Sequence, residues 1–215
     1  MSDPEPQQGW VNAEVAEEFP ELRLLELRVE ARPGRSPRSV RDRLKHLSSR
    51  FRGAQAVAQR QQPVPWAYRV FYRHVGLDPD AERTPAEAAT LERLVQGGFR
   101  SESLLDDALL IALVETGVPI WALDEAHVEG TLGIRLAGAD ERLGAAEDAP
   151  PVPPGRLVVA DDRGPLAVLF GELAPGHGVT PDTQAMRLFS VQVDGVPSIH
   201  VEEALWQCAD ILQTP

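Results

Sequence analysis

The chain has a single cysteine, Cys208, in 215 residues, which excludes an internal disulfide and leaves the fold to be held by its core. No His or Cys pair stands at metal-ligand spacing, and neither a Gly-x-Ser-x-Gly elbow nor a phosphate-binding glycine loop occurs. The sequence therefore points to no metal and no cofactor. It also lacks any run of 18 apolar residues, and its start, Met1 to Gly9, is polar and acidic without a charged-then-apolar signal. These absences predict a protein of the cytoplasm that does not enter a membrane.

Basic residues are missing altogether from residues 1–22, which hold six acids. Residues 23–73 reverse this, with thirteen Lys or Arg against three acids (Glu26, Glu30, Asp42), and residues 74–215 return to eight against twenty-four. The three blocks carry −6, +10 and −16 within a net charge of −12. Binding to phosphates draws its affinity from counterions released at a local basic surface, so only the middle block offers one. Its candidates are Arg38, Arg41, Arg43, Lys45, Arg50 and Arg52. The competing reading is an ordinary solvated helix face.

With 43% hydrophobic and 25% charged residues, the composition is globular, and a chain of this length buries roughly 70% of its unfolded surface. The expected organisation is an acidic segment over residues 1–20 followed by one domain over 21–215. Alternation from Leu22 to Glu30 predicts a strand ended by Arg32-Pro33-Gly34. Ser36-Pro37 opens a helix whose apolar stripe is Val40, Leu44 and Leu47. Trp66, Val70, Phe71 and Val75 have helical spacing before Gly76. Thr84-Pro85-Ala86-Glu87 spells a capping box for a helix that Gly97-Gly98 ends. A further helix, Ser103 to Glu115, is apolar almost all round and stops at Gly117. The period then shortens to strands at Val118–Leu123, Leu132–Leu136, Arg156–Ala160, Leu166–Phe170 and Met186–Val193, with Asp161-Asp162-Arg163-Gly164 as a hairpin turn. Glu147 to Pro154 reads as a rigid loop. A closing helix from Ser198 to Gln213 carries Cys208 on its buried face.

Several segments are similar to a known family. Leu105-Asp106-Asp107, Thr116-Gly117-Val118-Pro119 running to Asp124, Val128-Glu129-Gly130, Val158-Val159-Ala160-Asp161 and Gly178-Val179-Thr180-Pro181-Asp182-Thr183-Gln184 occur in the order found in the tRNA-editing (B3/B4) domain of the phenylalanyl-tRNA synthetase β subunit. Phe71 to Leu77 and Thr84 to Ala88 resemble its stand-alone members. The resemblance spans about residues 66–195. It implies an α+β fold, a mixed and largely antiparallel β-sheet with packed helices, and an aminoacyl-tRNA end or a free amino acid as the bound partner.

Such domains hydrolyse the ester between a non-cognate aminoacyl group and the terminal ribose of tRNA. That reaction needs a positioned water, a polarised carbonyl and a shaped pocket. In the family a Thr-Asn pair and a His line the pocket; here those positions read Leu109-Leu110 and Trp121. Leucine forms no side-chain hydrogen bond and indole only donates, so neither serves as a base. The family's glycine loop corresponds to Leu173 through Gly178, keeping Gly176, His177 and Gly178 but not the Glu that reads a substrate hydroxyl. Val191 replaces a small residue and narrows the pocket. The remaining polar candidates are His177 and, one turn earlier, Glu172.

Three functions follow as alternatives. A deacylase acting in trans would need the basic stretch to face the pocket. A binding protein for an amino acid or small metabolite would use Leu109, Leu110, Trp121 and Val191 as its apolar wall. An interaction module would have the pocket filled.

Overall fold

A computed structural model describes residues 5–51, 58–144, 146 and 148–214. Arg52, one of the six basic candidates, lies outside the described residues. Two four-stranded sheets and six α-helices make up the described fold, an α+β architecture as the resemblance implied. The first sheet has the order β1 (Gln7–Gln8), β3 (Arg23–Val29), β8 (Met186–Gln192) and β4 (Trp121–Asp124), antiparallel throughout. The second has the order β2 (Trp10–Val11), β5 (Gly133–Leu136), β6 (Leu157–Ala160) and β7 (Pro165–Val168), with β2 and β5 parallel and the rest antiparallel.

Within the acidic N-terminal segment, residues 7–11 join both sheets. β1 pairs with β3 and β2 with β5, and the chain passes from one sheet to the other at the buried Gly9. Its N–H donates to the Leu24 carbonyl at 2.9 Å, and the next N–H, of Trp10, donates to Leu132 at 3.2 Å. A Cβ at residue 9 would stand 2.2 Å from the Leu132 carbonyl oxygen, so the crossing requires glycine. Composition marked this segment by its charge, and periodicity cannot register strands of two residues.

α1 (Ala13–Glu18) follows the crossing, capped by the Asn12 side chain. α2 (Arg38–Arg50) buries Val40, Leu44 and Leu47, the stripe its spacing predicts. Its entry differs from expectation, because Pro37 is the cap residue and Ser36 instead donates to the buried carboxylate of Asp107 at 2.5 Å. α3 (Pro63–His74) begins three residues before Trp66, since Pro63 suits a first helical turn that lacks partners for its N–H groups. α4 (Pro85–Gln96) starts with the expected box, in which a Glu87 carboxylate oxygen accepts the Thr84 N–H at 3.3 Å. α5 (Leu104–Thr116) and α6 (Ser198–Leu212) pack on each other, and α6 also crosses β3 and β8. Cys208 is fully buried in α6, and burial pushes its thiol up to about 12.

A partly buried ion cluster ties the sheets together. Arg187 on β8 donates to Glu26 on β3 at 2.8 Å and bidentately to Glu125 at 2.8 Å on both arms. Glu26, only 3% exposed, also accepts the Leu132 N–H leading into β5. The bonds to Glu125, with those to Glu26 added, raise the Arg187 pKa beyond its ordinary range. Removing Arg187 would leave the Glu26 carboxylate buried without its charged partner, which costs more than the intact cluster contributes.

Gly9→Ala should therefore lower unfolding stability by about 1–3 kcal/mol through overpacking. Gly34→Ala, with open space at its Cβ, should change it by less than about 0.5 kcal/mol; chemical denaturation of both variants measures the difference. A second expectation concerns Cys208, which should resist a thiol reagent at pH 8 in the folded protein and react fully once the chain is denatured.

Candidate functional site

β4 begins where α5 turns through Gly117, whose φ of 78° calls for glycine and whose Cβ would meet Pro65 of α3 at 2.9 Å. The turn delivers Trp121 opposite Phe189 of β8. Directly opposed residues of an antiparallel pair share a face, and the two rings stack at 5.7 Å with 16° between their planes. Val191, two residues further along β8, lies on that same face and is 1% exposed. Trp121 and Val191 thus lie on one face of the sheet, and aromatic rings pack on it.

Phe170 does much of the occupying. The expected strand Leu166–Phe170 ends at Val168, and Phe170 sits in a turn with φ 59°, the left-handed region where a bulky side chain is strained. Its ring packs on Trp121 at 5.7 Å, on Tyr68 at 5.9 Å, on Phe71 at 5.8 Å and on Tyr72 at 5.2 Å. Two contacts, with Phe170 and with Phe189, hold the half-buried indole between rings from a turn and a strand. Tyr68 is buried and donates to the Val191 carbonyl at 2.8 Å, closing the edge of β8 beyond the end of β4. Burial raises its phenol well above the ordinary range, so it remains a neutral donor.

The glycine loop runs along the open edge of β4. Gly178 forms a bridge with Leu123, and the Asp124 N–H donates to the His177 carbonyl at 2.9 Å. Gly176 has φ 79°, and neither Gly176 nor Gly178 has any atom within 4 Å of where a Cβ would stand. The backbone of this loop is therefore open to an approaching group. The His177 ring lies with Nδ1 at 3.1 Å from the Pro175 carbonyl. Far apart in sequence, His127 and His177 meet edge to face at 5.8 Å. Glu172 is exposed and uses its carbonyl, which accepts the Val168 N–H at 2.9 Å. From Asp124, beside His177, to Trp121 is three residues of strand, roughly 10 Å.

Leu109 and Leu110 are half-buried on α5. Leu110 borders a groove between α4 and α5 with Ala89, Phe99, Arg100 and Asp107. None of the glycine-loop residues lines that groove. The structure brings Trp121 and Val191 to one sheet face and Gly176, His177 and Gly178 to one strand edge, and it places Leu110 beside α4.

The other sequence landmarks are turns and caps. Asp124 caps a short 3-10 turn (Glu125–His127) through the Ala126 N–H at 3.0 Å and accepts the Thr183 hydroxyl at 2.5 Å. Asp161 accepts N–H groups from Glu129, Arg163 and Gly164 at 2.8 to 3.1 Å. Asp107 collects Ser36, Ser101 and the Glu102 N–H. Gly130, at φ 78°, leaves room for Asp162. Sequence reasoning did not find Phe170 or Phe189 as neighbours of Trp121. The only local sign was Gly171 after Phe170, which marks a turn rather than a strand.

On the basic helix, Arg43 is bound to Glu115, and Arg38 and Lys45 share Asp42 at 3.5 and 3.0 Å. Arg41 and Arg50 are exposed and make no ion pair among the described residues.

Together these features define an α+β domain with a glycine loop along one strand edge and an aromatic packing beside it. Residues 67–197 match the model of the B3/4 domain family, and the chain belongs to that family. It is similar to the phenylalanine–tRNA ligase β subunits of Streptomyces avermitilis (34% identical over 110 residues, 51% of this chain and 13% of that one), Shewanella oneidensis (35% over 101 residues, 45% and 12%) and Colwellia psychrerythraea (35% over 118 residues, 54% and 14%). The matched stretch is thus a small part of those relatives' own length. Among the described residues no helix is long and apolar enough to cross a membrane.

Phe170→Ala should cost about 3 kcal/mol of stability and shift Trp121 emission to longer wavelength, read against a Trp121→Phe background. Phe170→Gly should cost less than Phe170→Ala if the left-handed backbone is strained, because glycine adopts it freely.

Proposed function

We propose that this domain binds the acceptor end of tRNA and does not hydrolyse an aminoacyl ester. The observation that carries the second half is the indole of Trp121, a group that cannot act as a base, held between Phe170 and Phe189. An aminoacyl side chain entering there would have to displace packed rings. Kinship to subunits named for a tRNA ligase supports the first half, and so does the middle block of positive charge. Within it Arg41 and Arg50 are exposed and form no ion pair among the described residues, which suits them to meet phosphates. Arg38 and Lys45 are held only by exposed pairing with Asp42, which costs little to exchange. The open backbone at Gly176 and Gly178 gives a ribose or base edge a place to approach.

Fluorescence anisotropy with a labelled tRNA at 50 and 200 mM salt tests the reading. Binding should weaken with salt, and Arg41→Glu with Arg50→Glu should weaken it about tenfold or more while lowering the salt slope by roughly two. A panel of mischarged tRNAs should show no deacylation above the spontaneous rate. Hydrolysis by the wild type that disappears in His177→Ala would overturn the non-hydrolytic assignment; absence of salt-sensitive binding would overturn the tRNA assignment.

A further inference from the structure

A cavity of about 250 Å³ opens between α3, α4 and the turn near Pro79, away from β4 and from the glycine loop. Its floor is charged. Arg69, 6% exposed, donates to Glu87 at 2.5 Å, to the Pro79 carbonyl at 3.4 Å and to Asp80. Glu87 spends its other oxygen on the cap of α4, so both carboxylates in the lining are engaged. Two more guanidiniums, of Arg60 and Arg83, line the same cavity, are exposed, and form no ion pair among the described residues. The lining therefore carries three positive charges against two negative ones, in a chain whose net charge is −12.

The far wall is apolar. Leu91 and Leu94, three apart on α4 and so on one face, line the cavity and are each 41% exposed. Large aliphatic side chains beside a polar, partly buried floor are the ordinary composition of a ligand site, in which a few placed charges orient a mostly apolar body. The volume lies just under the usual range of roughly 300–1,000 Å³, which limits that body to a single ring or a short branched chain. The excess of one positive charge favours a monoanion, because a dianion would leave uncompensated negative charge beside Glu87 and Asp80.

We propose that this cavity binds a small carboxylic acid, its carboxylate toward Arg60 and Arg83 and its compact apolar body against Leu91 and Leu94. A guanidinium presents a planar fork that matches a carboxylate, and the leucines supply the area that a small polar anion could not use.

The test is titration of the isotopically labelled full chain with phenylacetate, followed by amide chemical shifts. Phenylacetamide removes the charge, acetate removes the ring, and phenyl phosphate raises the charge; each should bind at least about tenfold more weakly, a difference of about 1.4 kcal/mol. Shifts should centre on residues 59–60 and 80–94. Arg60→Ala and Arg83→Ala should each weaken phenylacetate about fivefold or more, Arg83→Lys should keep part of the binding, and Leu94→Ala should reduce the preference over acetate. Unchanged shifts elsewhere in the spectra would show that the variants are folded. The proposal is overturned if phenylacetamide matches phenylacetate, if no saturable shift appears up to about 20 mM, if the shifts map elsewhere, or if both arginine variants bind as the wild type does. The titration contains no RNA, so its outcome is separate from the tRNA assignment.

Discussion

The ring of Phe170 is the point at which the parts of this domain are fastened to one another. It touches Tyr68, Phe71 and Tyr72 on α3 and Trp121 on β4. Phe71 in turn meets Phe19 beyond α1 at 5.3 Å, and Trp121 stacks on Phe189 of β8. One strained turn residue thus links helices from the first half of the chain to the first sheet and to the exit of the second. Aromatic packing supplies both area and preferred geometry, each pair adding about 0.5–1.5 kcal/mol beyond burial. That is enough to hold a left-handed phenylalanine, whose backbone cost is of order 1–3 kcal/mol.

The same packing bears on chemistry. In the family resembled, a histidine and a Thr-Asn pair line a pocket, whereas here an indole fills its place and is wedged by neighbours. Leucines on α5 extend the apolar character without adding a proton acceptor. What remains polar along β4, the His177 loop, is displaced along the strand from the indole.

Charge in this molecule serves mostly to hold local geometry. Asp107, Asp124 and Asp161 each gather hydroxyl or amide donors at a turn. These are the very residues on which the family resemblance rests, so the landmarks report the scaffold and not the reaction. Arg187 and Arg69 each anchor a cluster that includes a buried or nearly buried carboxylate, Glu26 and Glu87. Exposed acids pair as well, Asp42 with Arg38 and Lys45 and Glu129 with Arg163.

Helices and longer strands were legible because their causes are local. The stripe of Val40, Leu44 and Leu47, the Thr84–Glu87 box, the left-handed Gly117 and the Asp161–Gly164 hairpin each satisfy backbone groups within a few residues. The sequence alone also determined family membership, through the order of its turn residues. It could not determine that a two-residue strand on each side of Gly9 would stitch two sheets, because that pairing is fixed by distant carbonyls at Leu24 and Leu132. Nor could it determine that Phe170 leaves its strand to cover Trp121, or that His127 and His177 meet. Those outcomes depend on which side chains arrive at the same place from separate elements. Only tertiary packing decides that, since close-packed interiors select neighbours by shape and volume rather than by position along the chain.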